Sequence, residues 1–275
     1  MILQAFPAPS DLSPFVSGYL YGHSNFKDSQ LLPTIPRGVP ALMIIMNEDN
    51  EEHIQYFQLK KSSPLKKGVY LCGQATQTWW IKLNTCQAYM VVLKPAALQQ
   101  VMGESGAVFN DSFLRLDDLL PACKFLPEQL NAEKSQMGQL SVLDKYLRRL
   151  FRDQSLRLNE VDVAVHSIIL TQGQVKVREL ATQERVSVRT LNRKFTEQVG
   201  LSPKQYARIV RFRAIINYLI SSPGASWLDV TYKFGFHDQA HFIKDFQLFT
   251  CLTPNQYFAI DQSFDGQFVQ AISKL

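Results

Sequence analysis

The chain repeats part of itself. The stretch "SVRTLNRKFTEQVGLSPKQY" from Ser187 aligns with "DQAHFIKDFQLFTCLTPNQY" from Asp238 at a constant offset of 51 residues. A duplicated supersecondary unit is the usual cause of such self-similarity. Leu191 matches Phe242, Arg193 matches Lys244, Phe195 matches Phe246, and "LSPKQY" matches "LTPNQY". Ser187 and Asp238 are residue types that cap helix N-termini. Behind them apolar residues recur at helical spacing: Val188, Leu191 and Phe195 in the first copy, Phe242, Phe246 and Phe249 in the second. Pro203 and Pro254 suit the first turn of a following helix. Upstream of each cap, "KVRELATQE" and "WLDVTYKF" read as short helices, so each copy has the form helix, tight turn, helix. Here the register drops to an offset of 50, and the extra residue in the second turn is His237.

His237 and His241 stand four apart in "GFHDQAHFIKDF", a spacing that grips zinc when both residues share one helix. Capping at Asp238 places His237 outside the helix, so the two do not share a face and the metal reading loses its basis. No metal and no cofactor is expected. His241 stays a candidate phosphate or base-edge contact.

The net charge of +5 is not spread evenly. Residues 1–174 hold 16 basic and 16 acidic side chains, residues 175–258 hold 12 against 6, and the remainder 1 against 2. A basic block beside a neutral one predicts a polyanion-binding module joined to a part with another task. Arg outnumbers Lys in that block, and the guanidinium fork suits phosphate and base edges. "PKQYARIVRFRAIINYLI", between the two copies, has the length and periodicity of one long helix that would fix their separation.

Ahead of the repeat the pattern changes. "ALMIIM", "VYLCG", "TWWIKL" and "AYMVVL" are β-prone runs separated by turn signals, and they predict a mostly antiparallel β domain, with "PAALQQVMGE" as a short helix. From Pro127 the sequence turns helical. Leu140, Leu143, Leu147 and Leu150 form a short coiled-coil-like seam, which serves either a homodimer through the 137–151 helix or packing on its own domain. Asn159 can cap a further helix with Val161, Ala164, Val165, Ile168 and Ile169 on its apolar face. The fold class expected is α+β, divided into 1–125 (β domain), 126–157 (helical linker), 158–260 (all-α domain) and 261–275 (tail). The boundary falls near Arg157. The N-terminus lacks a secretory pattern and no uncharged apolar run has the length of a membrane span, so the expected location is cytoplasmic and no membrane partner is expected.

Two helix-turn-helix units on one long helix resemble the DNA-binding domain of the AraC/XylS family of transcription regulators. The resemblance rests on "VRELATQERVSVRTLNRKFTEQVGLSPKQY", "RFRAIINYLI" and "GFHDQAHFIKDFQLFTCLTPNQYF". The sequence departs from that family at Arg185 and Cys251, where Gly is usual, and at Thr231, where Ala is usual. The first half resembles the cupin-like sensing domains of a subset of these regulators through "LLPTIPRGVPALMI", "LCGQATQ" and "VVLKPAALQQVMG". The resemblance implies double-stranded DNA as partner, RNA polymerase as a second partner if the protein activates, and an unidentified small-molecule effector in the N-terminal domain.

Two reading helices about one DNA turn apart, roughly 34 Å, can enter successive major grooves. In the first, Ser187, Arg189, Thr190, Asn192, Arg193 and Lys194 are the candidate contacts, because Arg forks onto guanine and Asn onto adenine. Position for position the second offers Gln239, Ala240, His241, Ile243 and Lys244, a set poorer in donors. The first unit is therefore expected to supply most of the sequence specificity and the second more of the phosphate anchoring. Arg208, Arg211 and Arg213 on the long helix are expected to be solvated or to face phosphates. Arg37, Trp79, Trp80 and Tyr89 are candidate effector contacts. The rival readings are a cupin-type enzyme and a cysteine-dependent DNA repair protein. His23 and His53 form no HxH pair, and Cys72, Cys86, Cys123 and Cys251 lack the close spacing of alkyl-transfer sites, so neither a catalytic residue nor an enzyme activity is expected.

Overall fold

The computed structural model describes residues 1–47, 54–58, 61–117, 119–152, 154, 159–260, 266, 267 and 271. His53, the boundary near Arg157 and most of the tail lie outside the described residues. The strands are β1 (Ile2–Pro7), β2 (Val16–Ser24), β3 (Gln30–Thr34), β4 (Ala41–Ile45), β5 (Ile54–Gln58), β6 (Lys61–Leu65), β7 (Gly68–Cys72), β8 (Trp79–Leu83), β9 (Cys86–Leu93) and β10 (Phe113–Arg115). They form two antiparallel sheets, one in the order β1-β2-β9-β4-β7-β10 and the other β3-β8-β5-β6.

The larger sheet is covered on both faces. Alternate residues of a strand point to opposite sides, and in β4 Ala41, Met43 and Ile45 join Leu32, Ile54, Leu65 and Leu83 between the sheets. Leu42 and Ile44 point the other way, into a layer of helices. A strand buried on both faces reads as an unbroken apolar run, which is why "ALMIIM" stands out. That outer layer contains α1 (Ala97–Met102), α2 (Leu126–Ala132) and α3 (Gln136–Leu150). In α3, Leu140, Leu143 and Leu147 are buried against the sheet, while Asp144 accepts the Tyr19 hydroxyl at 2.6 Å and Arg148 pairs with Asp11 at 2.6 Å. The leucine seam is thus spent inside its own domain, the second of the two alternatives, and a homodimer through the 137–151 helix would lack that stripe.

The remaining helices are α4 (Glu160–Leu170), α5 (Val177–Gln183), α6 (Val188–Val199), α7 (Pro203–Ser221), α8 (Trp227–Lys233), α9 (Gln239–Thr250) and α10 (Pro254–Phe258). They close around one apolar core in which Leu191, Phe195, Phe242 and Phe246 are at most 1% exposed, each such burial stabilising the domain by about 2 kcal/mol. Asn159 caps α4 in a capping box with Asp162. Ile35 and Ala96 of the N-terminal half belong to this second core, so the two halves pack directly. No helix of the described residues is long and apolar enough to cross a membrane.

Candidate nucleic-acid interface

The two halves of the repeat adopt the same local structure. Ser187 Oγ accepts the Thr190 N–H at 3.0 Å to cap α6, and Asp238 Oδ1 accepts the His241 N–H at 2.7 Å to cap α9. Both helices run for 12 residues. Each ends in a left-handed residue, Gly200 at φ 90° and Cys251 at φ 59°. Each is followed by a proline-led helix with a matching capping box, Ser202 with Gln205 and Thr253 with Gln256. α7 carries 19 residues from one copy to the other.

The front of α6 places Ser187, Arg189 and Arg193 in solvent, with Thr190, Asn192 and Lys194 half-buried. Several of these side chains are already engaged. Asn192 Nδ2 donates to the Val188 carbonyl at 2.8 Å, Arg193 pairs with Glu197 at 3.3 Å, and Lys194 pairs with Glu160 of α4. The Arg193 pair is exposed on both sides and contributes well under 1 kcal/mol, so it yields readily to a base or phosphate. Glu160 holds Lys194 more firmly, and that hydrogen bond keeps the Glu160 carboxyl below its ordinary pKa. On α9, Gln239, Ala240, His241 and Lys244 are exposed, whereas Ile243 leans on the core. His237 lies before α9 with Nδ1 3.1 Å from Asp238 Oδ2, and the His241 ring meets Phe236 edge-on. The two histidines therefore have different surroundings, as capping at Asp238 predicts.

The arginines of α7 correct an expectation. Arg208 and Arg211 both pair with Asp245 of α9, at 2.6 and 3.0 Å, and the Arg211 guanidinium lies 4.2 Å from the centre of the Phe236 ring. Arg213 turns to the N-terminal half and donates to the Arg37 carbonyl at 3.0 Å. None of the three is a free phosphate contact, because α7 is sandwiched between the reading helices and the β domain. Sequence alone gave no sign of this role for Asp245, which stands where the first copy has Lys194.

The four candidate effector residues do not share a cavity. Trp79 is packed between the sheets on Phe113, with ring centroids 4.5 Å apart, and Trp80, its neighbour in the strand, points the opposite way. Arg37 is buried at the seam. Tyr89 donates to Gln139 of α3 at 2.8 Å, and burial pushes its hydroxyl up to about 12. Tyr89 does border an apolar cavity of 110 Å³ between the sheets, with Leu20, Met43, Ile81 and Met90. A larger cleft of 640 Å³ lies where the halves meet. Val39, Val92 and Lys94 line it from one side, and Val165, His166 and Arg213 from the other. Sequence reasoning missed it because its two walls come from distant segments, the nearest lining residues, Pro95 and Asp162, being 67 positions apart. Of the cysteines, Cys72, Cys86 and Cys123 are buried. Burial pushes Cys86 up to about 12 and Cys123 up to about 11, the reverse of what a nucleophilic thiolate needs.

Comparison with known proteins finds separate matches for the two halves. Residues 180–260 match a family described as a helix-turn-helix domain, and residues 4–115 match a domain of unknown function, DUF6597. An uncharacterized HTH-type transcriptional regulator of Haemophilus influenzae is 29% identical over 108 residues, 39% of this chain and 35% of that protein. The chain thus spans about a third of the length of the curated relative it matches. Among solved structures, ToxT from Vibrio cholerae is similar with a TM-score of 0.49 at 9% identity, covering 88% of this chain and 97% of that one. Unsaturated fatty acid bound ToxT gives 0.46 at 11%, covering 87% and 94%. The chain carries an antiparallel β domain followed by a helix-turn-helix domain.

Proposed function

We propose that this protein is a cytoplasmic, sequence-specific DNA-binding regulator of transcription whose N-terminal domain governs it in response to a small molecule. The observation that carries the reading is the pairing of α6 and α9. These two helices are capped at equivalent residues, their front faces are exposed, and one spanning helix holds them in a basic domain. Such a pair can lie in successive major grooves, with Arg189, Asn192 and Arg193 reading base edges and Lys244 anchoring a phosphate. If the protein activates, RNA polymerase is its further partner. The N-terminal domain supports a sensing role because it is docked on the DNA-binding domain through a cleft with apolar walls. That cleft also presents Lys94 and Arg213 against one carboxylate, Asp162, which already accepts the Asn159 N–H; the cationic excess favours an apolar molecule bearing an acidic group. The cavity between the sheets is much smaller and is lined by no lysine, arginine or carboxylate.

Retention of random genomic fragments on the full chain, followed by sequencing, tests this reading. Enrichment of a bipartite motif with half-sites about one turn apart is expected. Retention without sequence preference, or a single short motif, would reject it. Repeating the retention with apolar carboxylates tests the sensing role, which requires a changed yield of the motif.

A further inference from the structure

The N-terminal domain touches both reading helices at the same turn of the repeat. Applying the 51-residue offset, Gln198 corresponds to Phe249 and Gly200 to Cys251. The Thr78 N–H, in the loop leading into β8, donates to the Phe249 carbonyl at 2.7 Å. Asn110 Nδ2 donates to the Gly200 carbonyl at 2.6 Å. Beside it the backbone of Gly106 lies against the end of α6, so that a Cβ at Gly106 would stand 2.8 Å from the Gly200 nitrogen and 3.0 Å from the Gln198 oxygen. Gln99 Nε2 adds a bond to Glu197 at 3.2 Å. The last carbonyls of a helix have no partner within it, and here the β domain supplies donors to that end of both readers. Between these contacts the β domain also rests on α7, where Gly38 faces the Tyr206 ring and Arg213 donates to the Arg37 carbonyl.

From this we infer that the N-terminal domain is a two-point brace that sets the separation and tilt of the two reading helices. Asn110 with Gly106, and Thr78 through its N–H, are its positioning residues. A DNA reader with two helices discriminates half-site spacing only as sharply as its helices are held apart. α6 and α9 are each fastened to the β domain as well as packed in the helical core, so that body limits their relative motion more than α7 does alone. The cleft lined by Lys94 and Arg213 runs along the same seam, so whatever fills it acts on the brace. The inference rests on the reading of α6 and α9 as the two readers, but its test uses no DNA.

The test measures the distance between spin labels placed on Arg189→Cys and Gln239→Cys in a Cys251→Ser background of the full chain, the other cysteines being buried. One narrow distance distribution is expected. Gly106→Ala, which drives a methyl group into the seam, and Asn110→Ala, which only removes the amide donor, should each broaden it or add a second distance. Gly224→Ala, placed where an added Cβ meets nothing within 4 Å, should leave it unchanged. Unaltered distributions in both seam variants would overturn the brace, as would equal broadening in Gly224→Ala. Asn110→Ala leaves the backbone untouched, so the inference can be tested even if Gly106→Ala fails to fold. Should the brace fail, bipartite DNA retention can still stand, and the reverse also holds.

Discussion

At the scale of single residues, the departures from the repeat are where strain sits. Arg185 and Cys251 adopt left-handed backbone, φ 54° and 59°, and their partners in the other copy, Gly235 and Gly200, do so as glycines. A side chain in that region costs about 1 kcal/mol relative to glycine. Cys251→Gly is therefore expected to raise stability by about 1 kcal/mol, seen as a higher denaturant midpoint at unchanged slope. A lower midpoint would show that the thiol makes a stabilising contact instead. Thr231, the third departure, is accommodated differently: it is buried, and its hydroxyl donates to the Trp227 carbonyl at 2.8 Å, one turn back. The cap of α9 carries a pH signature. The His241 N–H and, secondarily, His237 hold the Asp238 carboxyl below its ordinary 3.8. An acid whose pKa is depressed on folding stabilises the fold above its unfolded value, and that contribution is lost as pH falls through the folded value. Thermal melts of the native protein and Asp238→Ala should thus differ at neutral pH, with the gap narrowing once the pH drops below about 4 and closing only below the folded value. A gap that persists in acid would mean that the cap does not act through its charge.

At the scale of elements, the two readers are built alike but equipped unequally. α6 offers Arg189, Asn192 and Arg193, whereas α9 offers Gln239, Ala240 and Lys244, with Ile243 withdrawn against the core. Arg193→Ala should cost about 2 kcal/mol of discrimination between the retained site and a scrambled one, while Lys244→Ala should weaken binding to both alike. Parallel titrations check this, and a greater loss of discrimination from Lys244→Ala would reverse the assignment. These helices were legible because their caps, apolar spacing and prolines are local signals read twice. The pairing of Asp245 with Arg208 and Arg211 was not, since it joins residues 34 and 37 apart through packing that no local pattern records. The same limit explains α3, whose leucine spacing fits a dimer seam or a sheet face equally well. Only the position of the sheet decides between them. In the β half, β4 and β9 announced themselves as apolar runs. β2, interrupted by Gly18 and Gly22, and β6, containing Pro64, carry weak strand signals and are held by their neighbours.

At the scale of the whole molecule, the charge division acquires a geometry that a count of residues overstates. The basic block holds 12 Lys and Arg, and if each met a phosphate the affinity for DNA would fall with salt at a logarithmic slope of about −11. The structure removes several from that count. Arg208 and Arg211 are bound by Asp245, Lys194 by Glu160, and Arg213 by the β domain. The cations left to approach a duplex are Lys176, Arg178, Arg185, Arg189, Lys204, Lys244, the exposed Lys233, whose contact with the Tyr218 ring is weak, and, once it leaves Glu197, Arg193. Their ceiling is a slope of about −7, and base-reading arginines reduce it further. Anisotropy titrations on one operator at several salt concentrations should therefore give a slope clearly shallower than −7. A slope near −11 would mean that the Asp245 pairs and the seam open on DNA. In that event the β domain would have to leave α7 as the readers bind, and the structure described would be the state that precedes DNA rather than the one that holds it.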